Sequence, residues 1–578
     1  MSERPVAQIV LYGDRSPAAR SVMATRLASI GANAVHVAPC WVIATLPMPG
    51  CEPDPAEWTR QGLSFVEGRD RAEAAFGSRL LEETRRITKS TNTMRQLPGD
   101  ITLVRIDEDT ATLIRSCAGL SHWFVHHRHN AVMATTRLRF FEDLFDDEFE
   151  MDELVLAAST QDSILPWNRT PLAGVSVIPP AHCARISIDR PLHFERYWDP
   201  SEFVPHDSGD RPKAFRELFT AALDRDLSKD APNIITFSGG VDSSIVASLS
   251  VGLGRTVETV SLIPTLSYED PLPSRRTVDT FLKEVPVAAN WAIEIDEHRW
   301  VDVQMSALRT RVPMLNTTLI AAQHRGLASG ARVMTGGEYA DELFGGWNTL
   351  YDAWVPDLSP VELTRVLLTA SSLDRYRAAR RWAARRIGRG IRLPCPVQLA
   401  DFIRPDLRDE YAQYVAELRS ELRTIDSPRA FVLAQLSHYT GWLLQNWEGC
   451  SEAGMVRSLP FYNREAIEFA LSCYPTELAW PPKKLLQASF DGLVPSSHLH
   501  RLDKDSAGSS PLARVPIQLD RHMAETVQSI VDPTKLVVTE GLDPDIAARL
   551  APIIVASQRP ETERADASSP HFARTGRG

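Results

Sequence analysis

One short string constrains this chain more than anything else in its 578 residues. It is Phe237-Ser238-Gly239-Gly240-Val241-Asp242-Ser243-Ser244, placed directly after the β-branched run NIIT. A buried-type strand that runs into a glycine pair, then into the helical stretch SIVASLSVGL, then into a second strand, VETVSLI, has the order of a parallel, doubly wound sheet. KAFRELFTAALDRDL just ahead of it reads as a helix, and helical periodicity dominates from about 355 to 500.

The same string has a chemical meaning. Two glycines let the backbone approach an anion closely, and successive N–H groups can converge on it. The helix that opens near Asp242 adds the positive end of its dipole, and the serine hydroxyls add donors. An aspartate there would repel phosphate unless a divalent cation lay between them. Asp242 is therefore a candidate Mg²⁺ ligand as well as a candidate N-cap. The string is not the P-loop that ends in Gly-Lys-Ser/Thr. About a hundred residues on comes Met334-Thr335-Gly336-Gly337-Glu338-Tyr339-Ala340-Asp341-Glu342-Leu343-Phe344-Gly345-Gly346-Trp347. Three acids within five residues are costly without a counter-charge, which a bound metal, a lysine or a substrate amine would supply. A solvated acidic turn is the plainer alternative.

The first 200 residues read mainly as short strands. ITLVRIDEDTATLIRS (101–116) and HWFVHHRHNAVMATT (122–136, turning at Asn130) are hairpin patterns, and PLAGVSVIPPAHCARIS (171–187) reads as a strand pair interrupted by Pro179-Pro180. The Pro-, Gly- and Asp-rich stretch 199–213 suits a linker. The expected division is a β-rich domain over 1–205, a linker at 206–214, an α/β domain over 215–555 and a disordered tail over 556–578. Apolar residues at 43% leave ample material for such cores. The net charge of −11 offers no global field for nucleic acid or an anionic membrane, so neither is expected as a partner. Seven scattered cysteines contain no C-x-x-C or zinc spacing. With no signal peptide and no long apolar span legible, a cytoplasmic protein is expected.

SGGVDSS followed by GEYADELFGGW resembles the synthetase domain of asparagine synthetase and its relatives, whose pattern reads SGGLDSS and then GEGADELFGGY. LPFYNREAIEFALSCYP (459–475) and KKLLQASFDGLVPSSHLHRLDKDSAG (483–508) resemble later segments of that family, so the likeness runs across most of 215–510. It implies a pyrophosphate-loop fold of the adenine nucleotide α-hydrolase type, with ATP and Mg²⁺ as cofactors. Ser238, Gly239, Gly240, Asp242 and Ser243 would then hold pyrophosphate, and Asp242 and Asp341 would bind Mg²⁺. Thr236, Leu262, Gly336 and Gly337 would lie against the nucleotide, Glu338 beside the reacting carboxyl or amine, and Lys504 on the α-phosphate. Two departures stand out: Tyr339 replaces a small residue, and QNWEGCSEAGMVRSLPF poorly keeps an Asp/Arg-rich helix.

The N-terminal domain resembles the family's glutaminase (Ntn-type) sandwich in degenerate form. The glutamine-using enzymes carry a nucleophilic cysteine at residue 2, which is serine here; Cys40 and Cys51 read as ordinary thiols. Among relatives with a silent N-terminal domain, β-lactam synthetases place Tyr where Glu338 stands, and lasso-peptide macrolactam synthetases match better. That likeness implies an acyl-adenylate formed on a side-chain carboxylate of a precursor peptide and attacked by the peptide's own N-terminal amine. A leader-binding protein and a leader peptidase would be further partners. Ammonia-using asparagine synthesis, a tRNA-thiolating enzyme and a non-catalytic peptide-binding scaffold are the competing readings. Apart from these, DRYRAARRWAARRIGRGIR (374–392) carries eight arginines on a helical pattern, suited to an acidic peptide, a protein or RNA if it is more than a solvated face.

Overall fold

The computed structural model describes residues 7–47, 63–67, 94–95, 102–117, 122–145, 149–160, 165, 168–203, 206, 209–264, 272–295, 310–313, 316–345, 355–387, 398–422, 443–478, 482–501, 527–532, 550 and 553, apart from positions 33, 108, 129, 370 and 371. Its first part holds strands β1 (Ala7–Asp14), β2 (Ala34–Val37), β3 (Trp41–Pro47), β4 (Leu63–Glu67), β5 (Thr102–Ile106), β6 (Thr110–Ile114), β7 (Phe124–Arg128), β8 (Ala131–Thr135), β9 (Val175–Val177), β10 (His182–Ser187) and β11 (Arg190–Arg196). They form two sheets, ordered β2-β3-β1-β8-β7-β9 and β11-β10-β6-β5-β4. Every pairing within them is antiparallel.

The alternation of side chains explains how these sheets stack. On β1, Ile9 and Leu11 face the second sheet, sharing a core with Trp41, Ile43, Val104, Leu113 and Ile186. Val10 and Tyr12 point the other way, into a core with Met23 and Leu27 of the helix Pro17–Ser29. Both faces of β1 are buried, which is why QIVLY is a near-continuous apolar run.

The two hairpins expected at 101–116 and 122–136 are present as β5–β6 and β7–β8. The expected pair at 171–187 is not. β9 joins the first sheet beside β7, whereas β10 joins the second beside β6. Pro179 and Pro180 have no N–H for a ladder, so the chain crosses between sheets there, with Ala181 at a φ of 61°.

The second unit is built on β12 (Asn233–Thr236), β13 (Val257–Pro264), β14 (Ala289–Ile295), β15 (Val333–Gly336) and β16 (Val456–Arg457). These strands are all parallel in the order β14-β13-β12-β15-β16, as the strand–helix alternation requires. The chain steps outward from β12 to β13 and β14, then returns to β15 on the other side of β12. The topological switch point therefore lies between β12 and β15, and open α/β sheets bind ligands at such points. The helix Arg211–Asp226, capped by Asp210 on Lys213 N (3.1 Å), starts inside the stretch read as linker.

The helical residues 443–452 lie against the sandwich. Trp447 Nε1 donates to Thr136 O (2.7 Å), Arg137 donates to Glu448 (3.2 Å) and Glu452 (2.8 Å), and Arg139 donates to Glu452 (3.0 Å). Arg137 and Glu448 are fully buried, and burial pushes the Glu448 carboxyl up against the pull of Arg137. Removing one partner of such a pair leaves an uncompensated buried charge, costing about 3–5 kcal/mol. This helical segment thus ties the sandwich to the second unit.

Candidate active site

The loop after β12 follows from its residues. Phe237 N donates to Val260 O (2.8 Å), closing the strand. Gly239 then turns at φ +75°, where a Cβ would meet Thr277 Cγ2 at 2.6 Å, so both its conformation and its neighbour demand glycine. The N-cap of the helix Val241–Gly252 is Gly240, which has no side chain to satisfy the first-turn amides. Asp242 is not the N-cap foreseen as one of its roles; it sits in the first turn, where its charge favours the helix dipole. Ser238 Oγ and Ser243 Oγ lie 3.3 Å apart beneath this turn. Ser244 Oγ is buried without a hydrogen-bond partner among the described residues.

Beside it, β15 ends in Gly336, and the next turn packs onto the first. A Cβ on Gly337 would lie 2.5 Å from Ser243 N and 2.7 Å from the Asp242 carbonyl carbon, so only glycine lets the two loops touch. A Cβ on Gly336 would collide with Thr236 Oγ1 and Glu338 Oε2. Thr236 Oγ1 donates to Glu338 Oε1 (3.0 Å). Leu262 lies further along β13, half-buried and packed with the core beneath the sheet.

The acids find their counter-charges here. Lys483 Nζ lies 2.7 Å from Asp242 Oδ1 and 2.7 Å from Asp341 Oδ1, which brings the two aspartates, 99 positions apart in the chain, onto one ammonium. Arg457 Nη2 lies 2.7 Å from Glu338 Oε1. From the sequence a metal, a lysine or a substrate amine is expected as the counter-charge, but neither Lys483 nor Arg457 is singled out; the one lysine that is, Lys504, is assigned to the α-phosphate. Lys504 lies outside the described residues. One signal for Lys483 was available: it opens KKLLQASF, which lands on the same face of the fold only once the helix Lys484–Phe490 packs under the loops.

Strain concentrates at this site. Tyr339 and Lys483 hold φ of 70° and 61°, the left-handed region that side chains avoid at a cost of about 1–3 kcal/mol. Packing compensates. The Tyr339 ring stacks on Tyr462 at 3.8 Å between centroids and 19° between planes, and Lys483 N donates to Phe344 O (3.2 Å). A glycine suits the Tyr339 position on backbone grounds alone, so the ring stack offsets part of the cost of a side chain there.

The residues fit a nucleotide with a divalent cation. Two carboxylates already converge on one positive group, and a Mg²⁺ held by one or two carboxylates plus phosphate oxygens needs no third acid. No cluster of three or more metal-ligating side chains occurs among the described residues. Nor is any described helix long and apolar enough to cross a membrane.

Two asparagine synthetases described as glutamine-hydrolyzing are similar in part: that of Sandersonia aurantiaca is 25% identical over 29% of this chain and 34% of its own length, and one from Lotus japonicus is 25% identical over 35% and 36%. The chain thus spans about a third of the length of these relatives. Among solved structures, a glutamine phosphoribosylpyrophosphate amidotransferase from B. subtilis overlaps 58% of the chain and 92% of its own at 12% identity, with a TM-score of 0.22, too low to argue from. The family model described as Asparagine synthase matches residues 214–566, covering both glycine-rich loops, β12 to β16 and Lys483. This chain belongs to the asparagine synthase family.

Proposed function

We propose that the chain is an ATP-dependent, AMP-forming amide ligase that closes a macrolactam ring on a precursor peptide through an acyl-adenylate. The observation that carries the reading is the meeting of Asp242 and Asp341 on one cation, in a glycine-lined crevice at the sheet's switch point. In this reading the turn from Ser238 to Ser243 and the side-chain-free helix start take the pyrophosphate. Asp242 and Asp341 would hold Mg²⁺, which supplies charge neutralisation for the triphosphate. Lys483 places a second positive charge in the same crevice, able to follow negative charge as it develops. Glu338, anchored by Thr236 and Arg457, keeps a carboxylate positioned to take the proton of an attacking amine.

One feature favours a peptide over free ammonia as the source of that amine, and a second disfavours ammonia drawn from glutamine. The Tyr339–Tyr462 stack reshapes the corner where small-metabolite relatives carry a small residue. Among the described cysteines, Cys117, Cys183, Cys450 and Cys473 are buried. Burial pushes the thiols of Cys183 and Cys473 up to about 11 and that of Cys450 up to about 12, leaving none of these three suited to release ammonia from glutamine. Holding both ends of one peptide together can lower the barrier by several kcal/mol. A leader-binding protein and a leader peptidase are the partners this reading calls for.

The test is AMP formation with synthetic peptides that bear a free N-terminus and an internal Asp or Glu, run against free aspartate with ammonium. Ring closure shows as loss of one water from the peptide mass. Asp242→Ala should abolish AMP in every arm; equal AMP from both proteins would remove the site. Turnover with aspartate and ammonium alone would make the enzyme an asparagine synthetase.

A further inference from the structure

The helices Pro360–Thr369 and Ser372–Arg386 form a small unit with a core of their own. Val355, Leu358, Leu363, Val366 and Ala378 make one apolar cluster, with Leu367 and Trp382 packed against it. Trp382 Nε1 donates to Leu358 O (2.8 Å). Ser359 and Glu362 form a reciprocal capping box, Ser359 N to Glu362 Oε2 at 2.9 Å and Glu362 N to Ser359 Oγ at 3.2 Å. The unit is therefore well held, and none of its residues contributes to the candidate active site.

Its outer surface is not what a solvated helical hairpin needs. Of the eight large apolar side chains that stand exposed among the described residues, four are here: Val361 (63%), Leu368 (73%), Tyr376 (63%) and Ile387 (71%). Val361 and Leu368 are seven residues apart, and Tyr376 and Ile387 eleven apart, spacings that return to one helix face. Exposed apolar stripes of this kind mark interaction sites.

Charge specifies the partner. Arg377, Arg380 and Arg386 are exposed around the Tyr376–Ile387 stripe. Arg377 and Arg380 have no ion-pair partner among the described residues, and the Arg386 guanidinium lies 4.9 Å over the Trp382 ring. The whole chain carries −11, so this is a local positive surface on an acidic protein. We infer that the outer face of the Ser372–Arg386 helix docks an acidic amphipathic helix of a separate polypeptide. Its carboxylates meet the arginines, whose planar forks suit bidentate pairing, and its apolar face covers Tyr376 and Ile387. Nucleic acid would satisfy the arginines but leave Tyr376 and Ile387 wet.

The probe is a fluorescein-labelled peptide of about 20 residues, with leucine at helical spacing and glutamate elsewhere. Binding to the full chain is read by anisotropy. The inference expects salt-sensitive binding, weakened about tenfold or more by the double variant R377E/R380E and several-fold by Y376S/I387S, with thermal melts of both variants like the parent's. It is overturned if the peptide does not bind, if charge reversal leaves binding unchanged, if an RNA of equal length binds more tightly, or if sedimentation shows this surface pairing two copies of the chain.

Discussion

Replacing Lys483 by methionine tests the centre of the site. The side chain keeps its length and apolar stem but loses the ammonium that Asp242 and Asp341 share at 2.7 Å each. The two carboxylate oxygens then face one another across roughly 5 Å, and at an effective dielectric near 20 their repulsion is about 3 kcal/mol. Lys483 and both aspartates are largely shielded from solvent, so screening relieves little of this. The variant should melt several degrees below the parent in metal-free buffer. Added Mg²⁺ should restore most of the loss, because the freed carboxylates gain a divalent counter-ion, whereas the parent should respond far less. AMP formation should fall by about a hundredfold or more even with Mg²⁺ present, since the second positive charge in the crevice is gone. Equal melting of the two proteins without metal, or no added response of the variant to Mg²⁺, would refute the claim that these aspartates form one electrostatic unit.

Two other outcomes follow from the packing. Gly337→Ala pushes a methyl into Ser243 N and the Asp242 carbonyl carbon, both backbone, so the loops must separate at a cost of about 1–3 kcal/mol; the melting point should fall by a few degrees and AMP formation by about a hundredfold, and a fully active alanine variant would show that the loops need not touch. Burial depresses His182 to about 4, with Nδ1 held 2.7 Å from Pro180 O. Its folded form therefore stays neutral while the unfolded chain takes up a proton below its ordinary 6.5, and stability is full above that pH and lost as pH falls toward 4, by up to about 3 kcal/mol. His182→Asn, which keeps a donor near the Nδ1 position, should flatten that acid-side slope in urea titrations from pH 7 to 4.5; parallel slopes would exclude His182 as a cause.

Short-range features were legible because they depend on residues close in the chain. NIIT followed by two glycines and a helix could only be a strand-to-helix turn, and Gly239 does take the left-handed φ that such a turn requires. The β5–β6 and β7–β8 hairpins were readable for the same reason, each being a local alternation about a polar turn. PLAGVSVIPPAHCARIS misled because period and composition identify strands but not the sheet each joins, and two prolines that merely interrupt a pattern on paper carry the chain from one layer to the other.

The sequence by itself determined that a glycine-rich turn opening a helix would stand at the end of a parallel strand, and that acids on a second glycine-rich turn would need a positive neighbour. Only the tertiary structure decided which neighbour. Lys483 comes from 241 residues beyond Asp242, and Arg457 from 119 beyond Glu338. Neither separation has a period to announce it, and the segment KKLLQASF marks Lys483 without saying which acids it meets. Such pairings are set by which helices and strands pack under the loops, through the burial energy of whole elements, and charges then take the partners that packing brings within reach.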